Sequence, residues 1–287
     1  MTYPTAVKKR PSWLRKELPE NGVTKELSTY LKDNSIETVC VNSRCPNIGE
    51  CYSAGNISFL ILGNICTRNC SFCAIQKGLP GKVDKKEPAA VAGAVKKLKL
   101  KYAVITSVTR DDLPDGGAAH YSEVVRAVKG ISPEIAVETL TPDFKGSGRA
   151  VDTVIESGVD VFAHNMETVA RLHPDIKPLS DYCRSLDILA RAASFKNTFV
   201  KSGFMVGLGE TDEEIGQLLE DIRGTGCSFL TIGQYLRPSN SLLEVQRYLS
   251  PANFEGLKKK AVDSGFKKVA SGPFIRSSYK AIELFQE

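Results

Sequence analysis

Residues 57–73 read ISFLILGNICTRNCSFC, an apolar run closed by Gly63 and followed by three cysteines, Cys66, Cys70 and Cys73, within eight residues. A short run of this kind, rich in Ile, Leu and Phe and stopped by a glycine, reads as a strand buried on both faces. It recurs along the chain at 102–108, 135–141, 160–165, 199–208 and 229–235. Helical patterns occupy 88–99, 121–128, 148–157, 180–193, 212–223 and 251–264, in the intervals and after the last strand. Strands that are apolar on both faces and alternate with helices predict a parallel sheet with right-handed crossovers, closed or partly closed on itself. Six such units fall short of a complete (β/α)8 barrel. The expected fold is therefore α/β, a partial (β/α)6 TIM-type barrel, with its chemistry at the C-terminal ends of the strands.

Outward from that barrel, residues 1–56 carry four prolines, a short amphipathic stretch at 25–32 and little strand signal. The expected organisation is an N-terminal cluster-binding extension at 1–56, the barrel at 57–266 and a C-terminal tail at 267–287 that caps the extension's site. The 287 residues are 42% hydrophobic and 25% charged, enough for one sizeable core. Net charge is +5, but the 38 basic residues are spread among 33 acidic ones, which argues against a nucleic-acid partner. There is no uninterrupted apolar run of about 18 residues and no secretory signal at the start, so a cytoplasmic protein with no membrane partner is expected.

Six of the eight cysteines fall between Cys40 and Cys73, which suits reduced, metal-binding thiols better than a disulfide scaffold. Cys183 and Cys227 read as small hydrophobes. Cys66, Cys70 and Cys73, spaced x3 and x2, can hold three corners of a cuboidal iron-sulfur cluster and leave one iron open, as a catalytic metal site requires. The competing reading is zinc, with His120, His164 or His173 as a distant fourth ligand.

This triplet after the first barrel strand, with Phe72 before its last cysteine, resembles the signature of the radical S-adenosylmethionine (SAM) superfamily. The resemblance implies that the open iron chelates SAM, and that reductive cleavage yields a deoxyadenosyl radical able to take hydrogen from an unactivated carbon. Gly203-Phe-Met-Val-Gly207-Leu-Gly-Glu210 is similar to the family's adenine-side string, and Asn165 to its ribose contact. Ser107, with Asp111 or Asp112, stands where the family usually carries a Gly-Gly-Glu type motif for the methionine amino group. Glu138 is either a contact to the SAM ribose or ammonium, or half of a structural ion pair. Arg171 is a candidate for the SAM carboxylate, and His164 a further site candidate.

The second triplet, Cys40, Cys45 and Cys51, is spaced x4 and x5 ahead of the barrel, and the tail carries Arg276-Ser277-Ser278-Tyr279. Together with the string TSVTRDDLPDGGA these resemble the lipoyl synthase family over nearly the whole chain. That resemblance implies a second, auxiliary 4Fe-4S cluster on Cys40, Cys45 and Cys51 with a tail serine as fourth ligand, Ser278 preferred over Ser277. A harder oxygen ligand suits an iron that must be shed. It also implies insertion of two sulfurs, drawn from the auxiliary cluster, at carbons 6 and 8 of an octanoyl group on a lipoyl carrier domain or carrier protein. An electron donor such as ferredoxin or flavodoxin, and an iron-sulfur carrier to restore the cluster, complete the implied partners. The rival readings are a methylthiotransferase or biotin-synthase-like sulfur inserter, and a non-catalytic iron-sulfur electron carrier.

Overall fold

A computed structural model describes residues 10–16, 22–131 and 133–286. Residues 1–9 and 17–21 of the N-terminal extension lie outside that set. The extension supplies three helices, α1 (Gly22–Asp33), α2 (Val39–Asn42) and α3 (Ile48–Ser53). The barrel begins at β1 (Ser58–Ile61), and a two-stranded parallel ribbon, β2 (Ile65–Cys66) and β3 (Gln76–Lys77), brackets the first cysteine triplet. The order continues α4 (Glu87–Lys97), β4 (Tyr102–Ser107), α5 (Ala118–Ile131), β5 (Ala136–Leu140), α6 (Gly148–Ile155) and β6 (Val161–Ala163). It closes with α7 (His173–Ile176), α8 (Tyr182–Ala193), β7 (Phe199–Val206), α9 (Asp212–Gly224), β8 (Phe229–Gln234), α10 (Pro251–Asp263), β9 (Lys268–Gly272) and α11 (Ala281–Gln286).

The main sheet runs β1-β4-β5-β6-β7-β8-β9 with every pair parallel. The expected partial barrel is present, with seven strands where six apolar runs are readable. The seventh, residues 268–272, lies in the segment expected to be tail. Its sequence KVASG is short and small, and only Val269 is fully buried, so it carries no apolar run to read. By contrast all six residues of β8 are buried, which accounts for that strand's uninterrupted apolar pattern.

Helix starts follow side-chain capping. Ser147 and Asp181 cap α6 and α8, and reciprocal capping boxes open α9 (Thr211 with Glu214) and α10 (Ser250 with Asn253). The free edge of β1 is covered by the extension, where the Leu60 amide donates to Glu37 O at 2.9 Å and Thr38 bridges Phe59. At the N-terminal mouth, the α11 ring of Phe285 lies 5.6 Å from Tyr102 and 5.9 Å from Phe199, the first residues of β4 and β7. That end of the barrel is plugged, and the open end is the C-terminal one.

Candidate functional site

A cavity of about 360 Å³ occupies the C-terminal mouth. Its walls come from the strand ends (Thr106, Leu140, Met205, Thr231), from Cys66, Cys70 and Cys73, from Cys40 and Cys45 of the second triplet, and from the tail; Cys51 is not in the lining.

The first triplet is held by its own backbone surroundings. The amides of Arg68 and Thr109 donate to Cys66 Sγ at 3.4 and 3.3 Å, and Ser71 N donates to Ile176 O at 3.0 Å. Arg68, inside the triplet, reaches Asp111 at 2.7 and 2.9 Å and Asp143 at 2.6 Å, with the Asp143 side chain fully buried. Burial alone would raise the Asp143 carboxyl, but the Arg68 hydrogen bonds and charge hold it well below the usual carboxylate range.

The second triplet sits on α2, the following loop and α3. Thr38 caps α2, its hydroxyl accepting from Val41 N at 3.4 Å, and Arg44 adopts a left-handed φ of 53° to turn the chain back into Cys45. All eight cysteines are free thiols. Burial pushes Cys40 up to about 11 and Cys51 and Cys73 up to about 12, and neighbouring triplet thiols push each further in the same direction. Such thiols stay protonated in the metal-free chain. Bound iron reverses that balance, because a coordinated thiol gives up its proton. Two such groups on one cavity fit two sulfur-ligated clusters in their donor chemistry.

The tail crosses between the triplets. Gly233 makes room for it, since a Cβ there would stand 2.2 Å from Ile275 O. Asn47, between Cys45 and Cys51, donates to Phe274 O at 2.7 Å, and Ser277 donates to Asn165 Oδ1 at 3.2 Å. Ser278 lines the cavity beside Ser277 and Arg276.

Of the residues expected to meet a cofactor, Phe72, Ser107, Asn165 and His164 line the cavity. Asp112, Glu138, Arg171, Gly207 and Glu210 are not in its lining, because each serves a nearer partner. Asp112 takes Arg110 at 2.8 Å. Glu138 forms an ion pair with Lys201 at 2.9 Å, both side chains 1% exposed, and accepts from the Tyr102 hydroxyl at 2.7 Å. Arg171 lies at the surface with both Glu214 oxygens, at 2.6 and 2.9 Å. Gly207, with φ 97°, lets β7 close on Gln234 and on Arg247 O, and Glu210 ties that turn through the amides of Gly207 and Leu208 at 2.6 and 2.8 Å.

The histidines of the zinc reading are also placed elsewhere or otherwise engaged. His120 meets Glu87 at 2.6 Å, and His173 packs edge-on against Tyr182 with ring centroids 5.8 Å apart. Among the described residues no three Cys, His, Asp or Glu side chains converge on a single-ion site. His164 Nδ1–H donates to Thr141 O at 2.9 Å, leaving Nε2 without a partner. Burial, then the Lys177 charge, lowers its pKa to about 3, so the ring is neutral.

Two cavity residues escape sequence reading. Lys177 is buried and donates to Asn165 O at 3.1 Å; Glu167 accepts from Asn165 Nδ2 at 3.0 Å. The only local signal is their nearness to Asn165. Glu167 takes a left-handed φ of 68°, a strained conformation for a non-glycine residue and one that clusters at functional sites. Burial lowers the Lys177 ammonium and raises the Glu167 carboxyl, while each pulls the other the opposite way.

The radical SAM superfamily model matches residues 60–222. A lipoyl synthase of Caldicellulosiruptor bescii is 50% identical over 274 residues, 95% of this chain and 94% of its own. Lipoyl synthases of Rubrobacter xylanophilus and Deinococcus radiodurans are 49% and 47% identical over 96% and 97% of this chain. Among solved structures, methylornithine synthase (PylB) superposes with a TM-score of 0.59 at 14% identity, over 88% of this chain and 75% of that one. Streptococcus suis SuiB bound to S-adenosylmethionine does so at 0.55 and 10% identity over 76% of this chain, which spans half of that longer protein. These structural likenesses carry the fold.

Proposed function

Because the chain belongs to the lipoyl synthase family of radical SAM enzymes, we propose that this cavity is where an octanoyl group on a lipoyl carrier domain or carrier protein receives two sulfurs, at carbons 6 and 8. The observation that carries the reading is convergence: Cys66, Cys70 and Cys73, Cys40 and Cys45 of the second triplet, and the tail serines line one barrel mouth, although they are spread from the extension to the C-terminal tail.

When bound, the clusters supply the reducing electron for SAM cleavage and the sulfur for the product. Cys66, Cys70 and Cys73 hold one cluster and leave an iron for SAM. Cys40, Cys45 and Cys51 hold the auxiliary one, with Ser278 as its fourth ligand. Lys177 takes the SAM carboxylate and Glu167 its ammonium; both line the cavity, which supports them over Arg171 and Asp112. Asn165 and the unpartnered His164 Nε2 meet ribose or adenine, and Phe72 and Ser107 complete that wall. Val39, Ile75, Val108, Leu140, Phe204 and Ile275 give the alkyl chain an apolar, water-excluding path. A flavodoxin or ferredoxin serves as reductant, and an iron-sulfur carrier restores the auxiliary cluster.

The test is turnover of an octanoyl-lysine peptide by the reconstituted enzyme with SAM and dithionite, read by mass spectrometry as lipoyl-lysine. Each buried methylene contributes about 0.8 kcal/mol, so a hexanoyl peptide should bind roughly tenfold or more weakly. Equal binding of both, or SAM cleavage without carbon–sulfur bond formation, would contradict the reading.

A further inference from the structure

The tail that carries Ser278 has little backbone structure to place it. Among the described residues its main-chain hydrogen bonds are two local turns, Ile275 N to Gly272 O at 3.1 Å and Tyr279 N to Arg276 O at 3.0 Å. A segment without a ladder takes its position from side chains. Three contacts do this: Asn47 on Phe274 O, Ser277 on Asn165, and Tyr279 on Glu50. The last lies beyond Ser278 and is the polar contact nearest to it on that side, ahead of α11, whose Phe285 packs on Tyr102 and Phe199.

Glu50 is the residue before Cys51. One carboxylate oxygen accepts from the Tyr279 hydroxyl at 2.5 Å and the other from the Lys16 ammonium at 2.5 Å. Lys16 in turn stands 4.8 Å from the Phe274 ring and 5.2 Å from the Tyr279 ring. The segment bearing Lys16 is anchored by buried Leu14 and by Trp13 Nε1 donating to Leu249 O at 3.2 Å. Three stretches of chain far apart in sequence thus meet at one carboxylate. The Glu50 side chain is 45% exposed, so water competes for it and the contact is reversible.

We propose that Glu50, Tyr279 and Lys16 form a latch that holds Ser278 on the auxiliary cluster. The proposal rests on the reading of Ser278 as a ligand. A serine oxygen is a poor match for iron beside thiolates, and it competes with water only if its local concentration is kept high. The latch keeps it high by fixing both flanks of the serine. Because it is made of exposed polar contacts, the tail can lift as a unit when the cluster has to be opened or replaced. Glu50, Tyr279 and Lys16 are positioning residues and touch neither cluster nor substrate in this role.

The test uses the holoenzyme with both clusters and a ferrous chelator, alongside amide exchange at residues 274–279 in the cluster-free chain. Tyr279→Phe keeps the ring over Lys16 and removes only the donor. It should release one iron per chain about tenfold faster, equivalent to about 1.4 kcal/mol, and deprotect the tail amides, with thiol-bound iron at the first triplet retained. Glu50→Gln should move both readouts the same way by a smaller factor. Ser278→Ala should lose that iron whether or not the latch is intact. Fast loss in Ser278→Ala with wild-type behaviour in Tyr279→Phe would overturn the latch and leave the ligand assignment standing. Wild-type iron retention in Ser278→Ala would overturn both. Parallel iron loss from the two clusters in Tyr279→Phe would contradict a local latch.

Discussion

The Ser277 hydroxyl donates to Asn165 Oδ1 at 3.2 Å, joining the tail to the end of β6 across 112 residues of sequence. That hydroxyl is engaged, and its neighbour Ser278 lines the same cavity, the reason it is the one proposed as a ligand. Ser278→Ala is therefore expected to yield an auxiliary cluster that is missing or holds a labile iron. Ser277→Ala should retain the iron and instead weaken SAM binding through Asn165. Mössbauer spectra of the two variants check the assignment, and it fails if Ser277→Ala is the one that loses the oxygen-bound iron.

The two triplets should separate by role. Replacing Cys66, Cys70 and Cys73 with Ala should abolish reductive SAM cleavage and leave the signal of the other cluster intact. Replacing Cys40, Cys45 or Cys51 should stop sulfur insertion while slow deoxyadenosine formation continues. Chromatography of the nucleoside and product decides it, and deoxyadenosine from the first triple variant would contradict the assignment.

How far the sequence reached follows from how local each signal is. Both cysteine triplets are legible because each falls within a dozen residues of sequence, and six strands because their apolar runs are continuous. The strand at 268–272 is not legible, since an edge strand of small residues needs no such run. Arg171 and Lys177 lie six residues apart, on either side of α7, and nothing in their spacing says which cation turns inward. Glu214, 43 residues beyond Arg171, claims that arginine at the surface, and the buried Lys177 is left facing the cavity. Glu138 is similar: its partner Lys201 is 63 residues away and enters from β7.

That Glu138–Lys201 pair makes a stability prediction. Both charges are out of water inside the barrel, so Glu138→Leu strands an ammonium and should cost about 3–5 kcal/mol. The double variant Glu138→Leu, Lys201→Met should recover most of the loss. Denaturant melts of the cluster-free chain measure both, and a single variant as stable as wild type would show that the pair is not desolvated in solution.

His164 gives the pH dependence. Its folded pKa, about 3, lies below the usual histidine value because it is buried, so the unfolded chain binds the proton more tightly. Stability is then full above the unfolded pKa, near 6.5, and falls as pH drops below it, by about 2 kcal/mol at pH 5 from this residue. His164→Asn should flatten the decline between pH 7 and pH 5 in cluster-free chain. An unchanged slope would place that proton elsewhere.

The second triplet's cluster is expected to be the sulfur source as well as a structural neighbour of the substrate path. The direct measurement is a single turnover by chain reconstituted with heavy-isotope sulfide, stripped of free sulfide and given SAM, reductant and an octanoylated carrier. Mass spectrometry should find both product sulfurs labelled, with loss of iron from the Cys40, Cys45 and Cys51 site. Unlabelled lipoyl product, or labelled product from a variant lacking those cysteines, would contradict it.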